Sequence, residues 1–388
     1  MKLARRSSIL VATTVLLLST QVVHGLPGEV SPIPPPLAEG ELLDIGVEVF
    51  DPGLGDGGPG FEASEQANQQ VRESEAAFFA VLLVRALQDT GQFGRVRMVP
   101  RGSATVDLLA RGRIHRSSGA RLALQLEVSD SSGRRWLRRG YIQYAEPQSY
   151  LDSFESDVEP FQALYDQFAA DLVRALARKK SQRLEELRQI SELRYGARLA
   201  PALFSDYLKI KRKGKVVLQR LPAHDDPMLE RLRRIRGRDE LFLDLLTERY
   251  EAFYSEMNRP YDNYRATSFE AEMALRYARV QAYLANRISW YSGPRDFYRR
   301  KSPMISQREI YFRRQAALQA RYLEDIVDTF AVVIEPLRLE LDGEMVRFEG
   351  TIEDQYRQWQ EMLEEIFVSE TGLPIAGVSA PAAAEGRR

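Results

Sequence analysis

The stretch from Thr105 to Ala145 limits the possible folds of this chain more than any other. Leu122, Leu124, Leu126 and Val128 alternate with Ala123, Gln125, Glu127 and Ser129. A period of two is what a strand with one buried face requires, because successive side chains point to opposite sides of a sheet. Val106–Ile114 precedes this run and Trp136–Tyr144 follows it. The connectors Ser117-Ser118-Gly119 and Ser131-Ser132-Gly133 are short and polar, each with a glycine available for a positive φ. Three strands joined by tight turns predict an antiparallel meander. Its apolar face needs a cover, and the apolar segment Ala76–Leu87 just upstream supplies one.

Upstream, Leu43, Ile45, Val47 and Val49 alternate in a first strand, Leu43–Phe50. A Gly- and Pro-rich loop, Asp51–Gly60, leads into a helix from near Glu62 to Asp89, closed by Gly91. Val96–Val99 is a short strand ending at Pro100. Residues 41–147 therefore read as a small β-α-β-β-β two-layer domain. Residues 148–330 read as mainly helical. One long helix starts at Phe161, with Leu164, Tyr165, Phe168, Leu172, Val173 and Leu176 at helical spacing, and continues as a charged segment to Arg194. Breaks fall at Pro201, Lys213-Gly214-Lys215, Leu221-Pro222 and Gly293-Pro294, in keeping with a helical bundle or long helical hairpin. In residues 331–373, Leu337–Leu341 and Met345–Phe348 flank Asp342-Gly343, a type I′ hairpin signal. That register sets Leu337 against Phe348 and Leu339 against Val346. Thr351 then caps a final helix, with Asp354 completing a capping box and Gly372 ending it. The fold class is α+β, and residues 374–388 read as a disordered tail.

The N-terminus directs the expected compartment. Lys2, Arg5 and Arg6 precede an apolar run, Ile9–Leu18, and Val23-His24-Gly25 suits cleavage. Residues 1–25 read as a secretory signal peptide, and residues 26–40, with five prolines, as an extended tether. The expected location is the periplasm; the alternative is an uncleaved leader anchoring the chain to the inner membrane. The apolar run is short for a span, which needs about 20 residues. The chain has no cysteine, which excludes disulfides, thiolate metal sites and cysteine nucleophiles. A formal net charge of −1 argues against bulk nucleic-acid binding.

No catalytic set, metal site or cofactor motif is read from the sequence. Gly55-Asp-Gly-Gly-Pro-Gly60 matches the dinucleotide spacing, but it begins five residues after Phe50, and Pro59 removes an amide where a phosphate would bind. Asp51, Asp56 and Glu62 fit no EF-hand loop. His24, His115 and His224 are scattered. The pairs Glu185/Glu186, Asp225/Asp226 and Glu364/Glu365 are adjacent, and helical neighbours do not face each other. Two basic clusters are candidates for contact with an anionic surface: Lys209, Lys211, Arg212, Lys213 and Lys215, and then Arg231, Arg233, Arg234, Arg236 and Arg238. The alternative is a solvated face neutralised by nearby acids. Tyr250, Tyr254, Tyr261, Tyr264, Tyr277 and Trp290, interleaved with arginine, suit a protein-recognition surface, or else the interior of a bundle.

The strand Leu43–Phe50, the helix, Gly91-Gln-Phe-Gly-Arg-Val96, and Val106-Asp-Leu-Leu-Ala-Arg-Gly-Arg-Ile114 with its meander resemble a bacterial envelope module. That module is shared by the TolB amino-terminal domain, the curli secretion lipoprotein, the peptidoglycan-synthase activator lipoprotein and auxiliary lipoproteins of lipid-transport ABC systems. The resemblance covers residues 41–147 and implies a periplasmic scaffold or binding module without catalysis. Many members carry a lipidated cysteine, which this chain lacks. The expected function is a non-enzymatic scaffold in an envelope assembly or transport system, with envelope proteins, and a second copy of the chain, as candidate partners. The alternatives are a peripheral membrane protein using the basic clusters, and a hydrolase acting on cell wall or lipid.

Overall fold

The computed structural model describes residues 42–54, 63–103, 106–156, 158–223, 225–288, 322, 335–341 and 344–372. The leader, the tether, the Gly55–Gly60 loop, His24, His224, Trp290, Gly293-Pro294, the Asp342-Gly343 turn and the 374–388 tail lie outside the described residues.

The fold is α+β, built on a five-stranded sheet of order β2-β1-β3-β4-β5. β1 (Ile45–Glu48) runs parallel to both β2 (Val96–Val99) and β3 (Leu108–Ser118). β3, β4 (Arg121–Asp130) and β5 (Arg135–Tyr144) form the antiparallel meander expected from the period-two pattern. Leu122, Leu124, Leu126 and Val128 are all buried, against α1 (Ala63–Gln88) and α3 (Gln162–Ala177) on one face of the sheet. α1 covers the sheet as predicted: Ala76 to Val84 are buried without exception. The two turn glycines differ in their reason for being there. Gly133 takes φ +76°, the left-handed conformation glycine adopts freely. Gly119 has no positive φ; a Cβ there would lie 2.2 Å from the Arg265 carbonyl oxygen and 2.3 Å from the Phe269 nitrogen.

Those last two atoms belong to α6 (Pro227–Ile288), a single helix of 62 residues, about 93 Å at 1.5 Å per residue. Pro260 lies inside it without ending it. An open strand edge invites pairing with other chains, and α6 covers the β2 edge. Met98 N–H donates to Thr247 Oγ1 (3.0 Å), and Arg97 grips Asp244 through Nε (2.5 Å) and Nη2 (3.3 Å). Arg95 adds an ion pair to Glu240.

α6 also joins two hydrophobic cores. The first takes Leu246, Tyr250, Phe253, Tyr254, Met257 and Tyr261 from α6, together with the sheet, α1 and α3. The second takes Leu229, Leu232, Ile235, Phe242 and Leu243 from α6 and packs them with residues of α4 (Ser181–Leu199), β8 (Leu337–Leu341), β9 (Glu344–Phe348) and α7 (Ile352–Thr371). The interior is therefore not divided at residue 147: Phe161 to Leu187 contribute to the same core as the meander.

The C-terminal element follows its sequence reading in detail. Leu337 pairs with Phe348 and Leu339 with Val346. Thr351 Oγ1 accepts the Asp354 N–H while the Asp354 carboxylate accepts the Thr351 N–H, the reciprocal capping box. Tyr356, Trp359, Leu363 and Phe367 are buried on one side of α7, which ends at Gly372 with φ +67°. Two expectations are corrected. The helix predicted from Phe161 to Arg194 is two helices, because Arg178–Lys180 interrupts it with Lys180 in an extended conformation (ψ 145°). The interruption redirects α4, which adds Leu184 and Leu187 to the first core and Leu193, Tyr195 and Leu199 to the second. The region expected to be helical also holds a β-hairpin, β6 (Leu208–Ile210) with β7 (Val216–Leu218), placed between the short helix α5 (Pro201–Phe204) and α6.

Replacing Gly119 with alanine sets a methyl group against backbone that no rotamer change can move. The expected result is a loss of about 1–3 kcal/mol, the usual cost of overpacking, read as a lower urea midpoint at unchanged m-value. Gly133→Ala, strained by φ +76° with a milder approach of its Cβ to the Gly214 carbonyl oxygen (3.3 Å), gives a useful comparison.

Candidate functional site

The most deeply buried cation among the described residues is Arg265, 1% exposed. Its guanidinium donates to both Glu159 oxygens, from Nη1 and Nη2 at 2.7 Å each, and Nη2 also reaches Asp262 Oδ1 at 2.7 Å. The other Asp262 oxygen accepts the Ser153 hydroxyl. The Tyr261 ring lies 4.4 Å from the Arg265 guanidinium carbon, a cation–π contact. Burial alone would lower the arginine's proton affinity, but the Glu159 and Asp262 carboxylates outweigh it and hold the group firmly charged. Next to it, Glu75 Oε1 accepts both Tyr261 Oη and Ser117 Oγ at 2.7 Å. This network ties α6 to α1, to β3, to α2 (Pro147–Ser156) and to the segment before α3. Its groups are directed at one another, which is a structural use of charge.

The predicted aromatic surface is corrected for three of its members. Tyr250, Tyr254 and Tyr261 are buried. The face of α6 that carries them meets α1: Tyr254 stacks on Phe78 at 4.8 Å, Tyr261 meets Phe78 edge-on at 4.9 Å, and Arg85 lies 3.8 Å over the Tyr254 ring. Burial pushes the Tyr250 and Tyr261 hydroxyls well above their ordinary range, so both stay protonated. Tyr264 is partly buried beside Tyr261. Tyr277 is 65% exposed. Beyond Phe269 none of the described side chains of α6 is buried, and Leu275, Val280 and Leu284 are exposed. Met273, Tyr277, Val280 and Leu284 follow a 4-3-4 spacing, the seam pattern of packed helices.

The two basic clusters have different fates. In the second, Arg233 forks onto Glu192 (Nε to Oε1 2.6 Å), Arg234 pairs with Glu370 at 3.7 Å, and Arg236 pairs with Glu240 at 3.6 Å. Arg231 lies against Met228 Sδ (3.9 Å), and Arg238 is partly buried. Glu192 and Glu370, distant in sequence, and Glu240, one turn further on, thus neutralise three of the five, which favours the alternative of a solvated face neutralised by acids. In the first cluster, Lys209, Lys211, Arg212 and Lys215 are exposed on the β6–β7 hairpin and form no ion pair among the described residues, with Lys213 in the turn between the strands. Ile210, between two of these lysines, is 75% exposed. Sequence reading passed over it, although Lys209-Ile210-Lys211 carries the only available signal, one apolar residue in a polar alternation.

The remaining candidates lie in open clefts. One is lined by Leu42, Asp44, Asp107, Arg188, Glu192 and Arg236. Asp107 is buried there, with Oδ2 accepting the Asp44 N–H at 3.0 Å and its backbone carbonyl accepting the Ser131 N–H at 2.8 Å. This explains an aspartate at the entry to β3: it latches that strand to β1 on one side and to the β4–β5 turn on the other. Burial raises its pKa above the ordinary carboxylate value, against the opposing influence of the Asp44 hydrogen bond and of Arg236. His115 is exposed, with Nε2 3.2 Å from the Gln125 amide. Among the described residues no group of three or more histidines or acids is placed to hold a metal ion, and no helix is long and apolar enough to cross a membrane. No family model, curated protein or solved structure matches the chain.

Two measurements test the charge assignments. Arg265→Leu leaves Glu159 and Asp262 buried without their cation and should destabilise the fold by about 3–5 kcal/mol in urea unfolding. A stability as high as the parent's would refute a structural network. Asp107, with its raised folded pKa, keeps its proton where the unfolded chain has lost it. Stability should therefore fall as pH rises from about 4, the unfolded carboxylate value, through that folded pKa. Asp107→Asn should abolish this fall while leaving the rest of the pH profile unchanged.

Proposed function

We propose that the protein is a non-enzymatic scaffold of the bacterial cell envelope that docks a protein partner along the C-terminal part of α6. The observation that carries this reading is the exposed row Tyr277, Val280 and Leu284, with Leu275 beside it, continuing at seam spacing from the partly buried Met273. Isolated apolar residues are ordinary on a surface, but a row at seam spacing is what a partner helix buries. The partner accordingly presents an apolar helical face of its own. Two further features support the setting. The charged and apolar leader pattern of residues 1–25 favours export. The sequence resemblance of residues 41–147 to envelope modules supports a periplasmic scaffold.

Photo-crosslinking in intact cells tests the reading. A benzophenone amino acid replacing Tyr277 should yield a crosslinked species containing a second, different polypeptide in the envelope fraction. The pair Val280→Asp/Leu284→Asp should remove that species without shifting the melting temperature, because neither side chain is buried. Recovery of monomer alone, or of full-length chain with an intact leader in the cytosol, would overturn the proposal.

A further inference from the structure

The β6–β7 hairpin adds little to either core. Val216 is its one buried residue, with Leu208 and Leu218 packed partly against the second core. Yet it is held firmly. Ile210 pairs with Val216, the Lys211 N–H donates to the Lys215 carbonyl at 2.7 Å, and the Gln219 N–H donates to the Tyr207 carbonyl at 2.8 Å. The Val216 N–H donates to the Ser132 carbonyl at 3.0 Å, which fastens the hairpin to the β4–β5 turn. A braced hairpin that does not serve the interior presents what it carries to the outside. What it carries is one isoleucine, 75% exposed, and the cations Lys209, Lys211, Arg212 and Lys215, unpaired among the described residues.

The ground around it is also cationic. Arg134 in the β4–β5 turn and Lys180 before α4 are exposed, and Lys179 stands close enough to Arg134, Arg183 and Asp130 to feel their charges, while Arg183 itself pairs with Glu186 (2.7 Å) and Asp130 (3.5 Å). Asp130 is already engaged: its carboxylate accepts Ser132 Oγ and the Trp136 indole N–H. The contrast with Arg233, Arg234 and Arg236 is informative, since the same chain neutralises those arginines with acids and, among the described residues, pairs none with the hairpin's cations.

We propose that this hairpin is a membrane-contact device that docks the protein on an anionic lipid bilayer. An apolar residue ringed by ammonium and guanidinium groups matches the boundary layer of such a bilayer: the cations meet headgroup phosphates and the isoleucine reaches the acyl chains beneath. Strand alternation puts Ile210 on one face of the hairpin and Lys209 and Lys211 on the other, so a tip-first approach brings all of them to headgroup depth, with Arg212 and Lys215 leading. A nucleic acid would call for exposed aromatic platforms, and an acidic protein would not call for a bare isoleucine. The surface is separate from the α6 seam, so either proposal can fail without the other.

The test is sedimentation of the purified full chain with vesicles. Vesicles of phosphatidylglycerol and phosphatidylethanolamine should bind it at low salt, phosphatidylcholine vesicles should not, and about 0.5 M salt should release it by screening. Lys209→Gln/Lys211→Gln/Arg212→Gln/Lys215→Gln should abolish binding. Ile210→Ser should weaken it by roughly tenfold, the effect of withdrawing one large aliphatic side chain from the acyl region. Both variants should melt as the parent does, and Arg233→Gln/Arg234→Gln should bind normally. Absence of binding to the anionic vesicles overturns the proposal. So does full binding by Ile210→Ser combined with equal affinity for soluble polyphosphate, which would assign the surface to a phosphate polymer instead.

Discussion

The burial of Arg265 is the constraint that the packing of this protein depends on. A guanidinium cannot lose its proton to escape a dry interior, so it is tolerated there only when its donors are matched by fixed acceptors. Here both Glu159 oxygens and Asp262 Oδ1 provide them for Nη1 and Nη2, Nε is left without a hydrogen-bond partner among the described residues, and the Tyr261 ring provides a polarisable face. Glu159 comes from the segment before α3, Asp262 from one turn earlier on α6, and the serine that satisfies Asp262 from α2. None of these groups is acceptable in that environment unless the others have arrived. The cluster therefore specifies one position of α6 along the sheet, where apolar contacts alone would permit a helix of this length to slide by a turn.

Once that position is fixed, the rest of α6 is fixed with it. The same helix brings Thr247 to the free amide of Met98 and Asp244 to Arg97, closing the β2 edge. Further toward its N-terminus it brings Asp239, buried, to the Trp359 indole (3.1 Å), the Gln360 amide (2.8 Å) and the Tyr356 hydroxyl (3.2 Å) of α7. Trp359 in turn stacks on Phe242 at 5.8 Å. Two polar anchors, Asp239 and Arg265, with an apolar stripe between them, let a single helix serve two cores. Gly119 follows from the same requirement, since the β3–β4 turn must come within backbone contact of α6 at Arg265 and Phe269.

How much of this could be read in the sequence depends on how local the cause is. The meander, the Thr351–Asp354 cap and the Leu337–Phe348 register are set by residues a few positions apart, and all three were legible. The break at Arg178–Lys180 has no glycine or proline to announce it; it serves the second core, which is assembled from residues much further along the chain. β6 and β7 have three residues each, too few for a period to register. The tyrosines of α6 show the same spacing whether they meet solvent or Phe78, so only the packing could separate Tyr254 from Tyr277. The two basic clusters look equivalent as text. They differ because Glu192 and Glu370 return to one of them in space and, among the described residues, no acid does so for the other.

That last difference bears on where function resides. Ion pairs at a surface contribute little to stability, typically below about 1 kcal/mol, so pairing Arg233 or Arg234 is no condition of folding. The cost of leaving cations unpaired in water is equally small, but a cluster of them raises the local potential and draws anions to it. An isoleucine held clear of the body among those cations adds an apolar term to the electrostatic one without strengthening the interior. Such residues can be changed at little cost to the fold, whereas Arg265, Glu159 and Asp262 cannot. The body thus keeps its constrained chemistry inside, where it sets geometry. Among the described residues, the hairpin Leu208–Leu218 and the seam of α6 beyond Phe269 are two places where such replaceable groups stand exposed.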